Sequence, residues 1–163
     1  MDQLRKLAEE GNAVAQFAVG LMHLNGHGAM IGRLGIQGVE KDENEARRWF
    51  LASAEQGCAW AMFNYAMLCS SKEEKFRWLL KAANGGLADA QYALVGHYNN
   101  PHTGAQIIDI VEAYKWAMLA ANQNHPCVVR TSQFAILEHR MSEEQISEAE
   151  ARAASFKAHD SRF

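Results

Sequence analysis

Apolar positions recur along this chain at helical spacing, in two kinds of segment that alternate. The first kind carries small residues five apart with an aromatic between them. Its copies are Ala15-Gln-Phe-Ala-Val-Gly20, Ala61-Met-Phe-Asn-Tyr-Ala66 and Ala90-Gln-Tyr-Ala-Leu-Val95. The second kind is built around Trp49, Trp78 and Trp116. Four residues before each tryptophan stands a glutamate (Glu45, Glu74, Glu112), and three before that a helix-capping residue (Asp42, Ser71, Asp109). Asp/Ser-x-x-Glu is a capping box that opens a helix. Eight residues after each tryptophan comes Gly57, Gly86 or Asn124, a residue that tolerates the left-handed turn closing a helix. The pattern predicts helices near 2–10, 12–25, 42–56, 58–70, 72–84, 87–98, 110–123, 127–139 and 143–158, and no β-sheet. It also predicts that the three tryptophans are buried between helices.

Calling the first kind helix A and the second helix B, the unit is A, turn, B, Gly, and A again. One such hairpin cannot bury both its apolar faces; stacking on neighbours buries them. The fold class expected is all-α: an α/α solenoid of about three helix-turn-helix repeats in a single domain spanning 1–163. Residues 1–11 read as a half repeat ending a B helix, 12–57 as the first repeat, 58–86 as the second, 87–124 as the third and 125–163 as a C-terminal cap. The A-to-B loops absorb the differences in length. The first carries an insertion at 29–38, and the second is almost absent, Cys69-Ser70 running straight into the Ser71 cap. The third holds Pro101 and Gly104. Pro126 suits a first helical turn, and Ser142-Glu-Glu-Gln145 opens a last, charge-rich helix.

Charge and cysteine usage narrow the function. The formal net charge is −3, with Lys and Arg scattered, which gives no footprint for nucleic acid. No apolar run reaches the 18 residues of a membrane span, and the first residues lack a secretory signal pattern. Cys58, Cys69 and Cys127 form no CxxC or Cys/His metal spacing, and Cys58 and Cys69 lie too far apart on one predicted helix to bridge. Free thiols and a cytoplasmic setting are expected.

The strings AQFAVGLMHLNGHG and GVEKDENEARRWFLASAEQG, split by the insertion, resemble a Sel-one-like repeat (SLR) of the tetratricopeptide-like superfamily. AQYALVGHY with EAYKWAMLAANQN, and AMFNYAMLC with KFRWLLKAANGG, resemble two further copies. The chain departs from the family pattern at His23 and Cys69, where it has Tyr, and at Ala66 and Val95, where it has Gly. The resemblance implies a bacterial adaptor that binds another protein without catalysis, through a concave face lined by successive A helices. On α-helical spacing that row is Val14, Ala18 and Leu21; Trp60, Asn64 and Met67; then Asp89, Ala93 and Gly96. Trp60 is read either as an anchor for a partner or as packing against the next helix. Met30, Ile31 and Leu34 in the inserted loop form a second candidate contact. They either fold over the first repeat or stand open to a partner.

No motif for catalysis is present. The chain has no Walker A loop, Gly-x-Ser-x-Gly or Ser-x-x-Lys, and its clustered glycines do not fit a dinucleotide fingerprint. His23 and His27 are four apart, but two ligands do not hold zinc without a third, such as His97 or Cys69. No catalytic residue, metal or cofactor is therefore expected. The functions weighed are a protein-binding adaptor, an immunity protein neutralising a bacterial toxin, and a hydrolase, for which no convergent polar pocket assembles.

Overall fold

A computed structural model describes residues 2–26, 39–100, 108–125 and 133–158. Within them every regular element is a helix: α1 (Asp2–Glu9), α2 (Ala13–Asn25), α3 (Glu43–Glu55), α4 (Ala59–Leu68), α5 (Lys72–Asn84), α6 (Ala88–Asn99), α7 (Ile110–Asn122), α8 (Gln133–Glu138) and α9 (Glu143–Ala154). The predicted boundaries hold to a few residues. Only the later part of the 127–139 helix, as α8, lies in the described region, as does no part of the 29–38 insertion.

The helix ends form as the capping residues dictate. Asp42, Ser71 and Asp109 each accept from the backbone N–H three residues on, satisfying an orphan donor of the first turn. At Ser142 both halves of the capping box are made, with Gln145 returning to the Ser142 N–H. In α3 and α7 the third-position glutamate instead reaches a cation: Glu45 meets Arg48 at 2.6 Å, and Glu112 meets Lys115 at 2.6 Å and Arg152 at 2.8 Å. Gly11, Gly57, Gly86 and Asn124 all have positive φ (95°, 96°, 88° and 57°), the left-handed turn that ends each B helix.

The chain divides into two compact units between Cys69 and Ser70. In the first, α1 packs on α2, α2 on α3 and α3 on α4. Its core joins Ala8 of α1 to Ala15 and Val19 of α2, with Leu4 and Trp49 against them. The A and B helices of this repeat meet closely at Gly20. A Cβ there would stand 2.6 Å from the Phe50 ring, so the site admits only glycine while Phe50 fills it. In the second unit α5 packs on α6, α6 on α7, and α7 on α8 and α9. The positions matching Gly20 and Phe50 are there Val95 and Ala117, both buried. Bulk that sits on the B helix in the first unit sits on the A helix in the second. This is the physical reading of the chain's valine at the family's glycine position.

The three tryptophans are not equally buried. Trp116 is 1 % exposed, covered by the Phe156 ring at 5.7 Å and by the Lys115 ammonium 4.1 Å from its ring centre. Trp49 and Trp78 are half-buried. Trp49 lies against the small-residue cluster of α1 and α2, and the Lys81 ammonium stands 4.1 Å over Trp78. The shared offset sets the face on which each ring lies. What covers that face differs from copy to copy.

Candidate functional site

Helices α2 and α4 contain no Asp, Glu, Lys or Arg. A helix without charge ordinarily lies wholly in a core. These two nevertheless expose Val14 (50 %), Trp60 (46 %) and Met67 (41 %), three of the six large apolar side chains found exposed among the described residues. All three belong to the A-helix row read from the sequence. Both helices pack on α3, which fixes the opposite faces inward through Ala15, Val19, Ala61, Tyr65 and Ala66. Asn64 and Leu21 are partly exposed. The Asn64 amide donates to the Trp60 carbonyl at 2.8 Å on its own helix, which leaves the amide oxygen as an acceptor. The result in the first unit is an uncharged row with one tryptophan and one flexible thioether.

Asp89 lies in the second unit and is already engaged. Its carboxylate stands 3.6 Å from Nε2 of His125, which is 7 % exposed and stacks on Tyr92 at 4.8 Å. The Nδ1 atom of His125 is buried without a hydrogen-bond partner. At the same offset in the earlier copies stand Cys58 and Leu87, both buried and less polar. The sequence reading did not single out His125, because a histidine just before a proline in an interrepeat turn reads as surface. Met30, Ile31 and Leu34 lie outside the described residues, as do His27 and Cys127. Cys58 and Cys69 sit at the two ends of α4, which keeps them from bridging each other.

A second set of side chains was also missed. Gln16 is 8 % exposed and donates to the Ala8 carbonyl at 3.1 Å, while accepting from Gln56 at 2.7 Å. Gln91 is 1 % exposed and repeats both bonds, to the Ala83 carbonyl at 3.2 Å and from Gln123 at 2.9 Å. Each pair ties an A helix to the C-terminal ends of the B helices before and after it. In the middle copy the two positions are Met62 and Gly85, so the pair is lost together. The signal was present: Ala-Gln opens two A helices, and Gln precedes the closing Gly57 and Asn124.

The remaining polar groups of the second unit hold helices together. The Tyr114 hydroxyl donates to Glu138 of α8 at 2.7 Å. Burial first, then that bond and the Glu138 charge, push its phenol up to about 12. Arg152 joins Glu112 of α7 to Glu148 of its own helix, and these hydrogen bonds raise its pKa. It is thus a tie between α7 and α9 rather than spare surface. Near the end of α6, His97 stacks on Phe76 at 4.2 Å, with Tyr98 edge-on to Phe76 at 5.7 Å. Burial, then the Lys75 charge, lower the His97 pKa. Among the described residues no three His, Cys, Asp or Glu side chains converge as metal ligands. No described helix is long and apolar enough to cross a membrane.

The Sel1 repeat family model matches residues 13–58, 76–87 and 88–125, more than half of the chain. Several solved structures are similar to it, among them the following two. The first is a protective antigen present in uropathogenic Escherichia coli strains, displaying an SLR fold, at 25 % identity and a TM-score of 0.73. The match covers 94 % of this chain and 31 % of that one, so this chain spans about a third of that antigen's length. The second is a Sel1 repeat protein from Oxalobacter formigenes, at 26 % identity and a TM-score of 0.63, covering 78 % of this chain and 92 % of that one. No curated protein matches. With the repeats and helices above, these likenesses make the fold class an α/α solenoid.

Proposed function

The chain belongs to the Sel1 repeat family, whose members are generally protein–protein interaction modules, and on that premise we propose that it is a non-enzymatic adaptor holding a partner protein on its A-helix row. The observation that carries this is the exposure of Val14, Trp60 and Met67 on two helices that bear no charge. Leaving nearly half of a tryptophan and of a methionine in water forgoes burial of about 1 kcal/mol each, which a docked partner recovers. Trp60 is the anchor, because large aromatics at the centre of an apolar patch dominate binding energies. Met67, seven residues on, lies about two turns along the same face, and Asn64 between them offers a directional hydrogen bond. Leu21 extends the row on α2; Asp89, at the matching offset on α6 of the second unit, is engaged by His125 within that unit. Met30, Ile31 and Leu34 are the competing contact. A cytoplasmic setting goes with this reading, supported by Cys58 and Cys69 standing at opposite ends of α4, too far apart to bridge each other.

The test is affinity capture from the native host with the wild-type chain and variants. Trp60→Ala should weaken the captured complex by roughly 2 kcal/mol or more with helical content unchanged. Normal capture by Trp60→Ala, with capture lost in a Met30/Ile31/Leu34 triple alanine variant, would move the site to the inserted loop.

A further inference from the structure

Helix α9 ends differently from the B helices whose pattern it repeats. Ser142 and Gln145 hold the offsets of Asp42 and Glu45, which puts Ala149 at the tryptophan offset and Lys157 at the closing one. Gly57, Gly86 and Asn124 turn left-handed at that closing offset, whereas Lys157 is not among the described residues with positive φ. A lysine carries the Cβ that resists such a turn. The chain leaves α9 at Ser155 and continues through Phe156–Ala158 as irregular backbone.

These three residues cross from one helix to two others. The Phe156 ring stands at 73° to the Trp116 ring of α7, with centroids 5.7 Å apart. A Cβ on Gly86 would lie 3.2 Å from the Ala158 methyl, so the segment reaches the turn that closes α5. It is thinly held there. Phe156 is half-buried, and Ser155, Lys157 and Ala158 are exposed. The Phe156 N–H donates to the Ala153 carbonyl at 3.2 Å, and no other backbone hydrogen bond joins 156–158 to the described residues. Segments with few buried contacts and solvated backbone open before the helices they lie on. Beneath the segment, the Trp116 indole N–H is buried without a hydrogen-bond partner. That unsatisfied donor penalises the closed arrangement, and water reaching it on opening removes the penalty.

We propose that Phe156–Ala158 is a strap that lifts as a unit while the helices beneath it stay folded, and so controls when the second unit shows its tryptophan to solvent. Lys115 and Glu112, paired at 2.6 Å, stay beside the ring, so the strap uncovers an indole bordered by an ion pair. Trp60 of the first unit stands in the open, whereas Trp116 is shown only when the strap lifts. The device does not rest on the A-helix row.

The test is hydrogen–deuterium exchange of the ¹⁵N-labelled full chain, followed by NMR at the Trp116 indole N–H, which is identified by its loss in Trp116→Phe. Backbone N–H groups of Ala117 and Ala120, both fully buried, report opening of α7 itself. Corrected for intrinsic rates, the indole should exchange about tenfold faster than these two or more. Its rate should stay flat in low urea while theirs rises, because lifting a strap exposes little surface. Phe156→Ala should speed indole exchange by about tenfold or more, and Phe156→Leu by a smaller factor. Circular dichroism checks that both variants keep their helices. An indole with the same rate and the same urea dependence as Ala117 and Ala120 would overturn the proposal, since Trp116 would then open only with the whole unit. So would unchanged indole exchange in Phe156→Ala, which would mean that the strap is not the cover.

Discussion

The first and third repeats share one plan and differ in where they put their bulk. In the first, the A helix has Gly20 and the B helix presses Phe50 onto it. In the third, the A helix has Val95 and the B helix has Ala117. Both keep a buried glutamine, Gln16 or Gln91, with the same two hydrogen bonds. The directional polar clamp is held constant because one lost partner would leave a buried amide unsatisfied. Apolar bulk is free to move between helices because packing asks only that the space be filled. The outer faces differ as well. The A row of the first unit is apolar and uncharged, whereas Asp89 of the second is drawn to the buried His125.

The largest expected break in that comparison is at the B-helix tryptophans. Trp116→Ala removes a fully buried side chain and should cost about 3–5 kcal/mol in a denaturant melt. Trp49→Ala, at the same offset but half-buried, should cost about 1–2 kcal/mol. Equal costs would mean that offset alone sets burial and that the Phe156 cover of Trp116 contributes nothing.

A smaller effect sharpens the second unit alone. The raised Tyr114 pKa places the un-ionised phenol in the folded state. Stability from its bond to Glu138 is therefore fully present below the usual tyrosine pKa and is lost as pH rises through about 12. Near-ultraviolet absorbance titration of the folded chain should show a phenol ionising near pH 12 that disappears in Tyr114→Phe. Its persistence in that variant would assign it to another tyrosine.

Much of this fold was legible in the residues because it rests on local chemistry. Asp42, Ser71, Asp109 and Ser142 cap the helices they precede, and Gly11, Gly57, Gly86 and Asn124 close the ones they follow. The A-helix row was legible too, since helical spacing fixes which side chains share a face. What escaped depends on contacts distant in sequence. Gln16 meets a carbonyl eight residues back and a side chain 40 residues on, and a glutamine taken by itself reads as surface. The unequal cover of Trp49 and Trp116 is set by Phe156, beyond the repeat itself. Arg152 reads as a solvated arginine until α9 is laid on α7 and brings it to Glu112. The division between Cys69 and Ser70 falls where the A-to-B loop is shortest, a departure visible in the sequence whose consequence was not.

The claim that the repeats fill one contact by moving bulk between helices is tested most directly by installing the third repeat's pair in the first. In the wild-type background Gly20→Val places a side chain inside the Phe50 ring and should destabilise by about 1–3 kcal/mol. Phe50→Ala alone should cost about 3–5 kcal/mol. In the Phe50→Ala background, the same Gly20→Val change should instead stabilise, since valine enters the space the ring has left, giving a coupling of at least about 1 kcal/mol. Additive costs, with Gly20→Val destabilising equally in both backgrounds, would contradict the account.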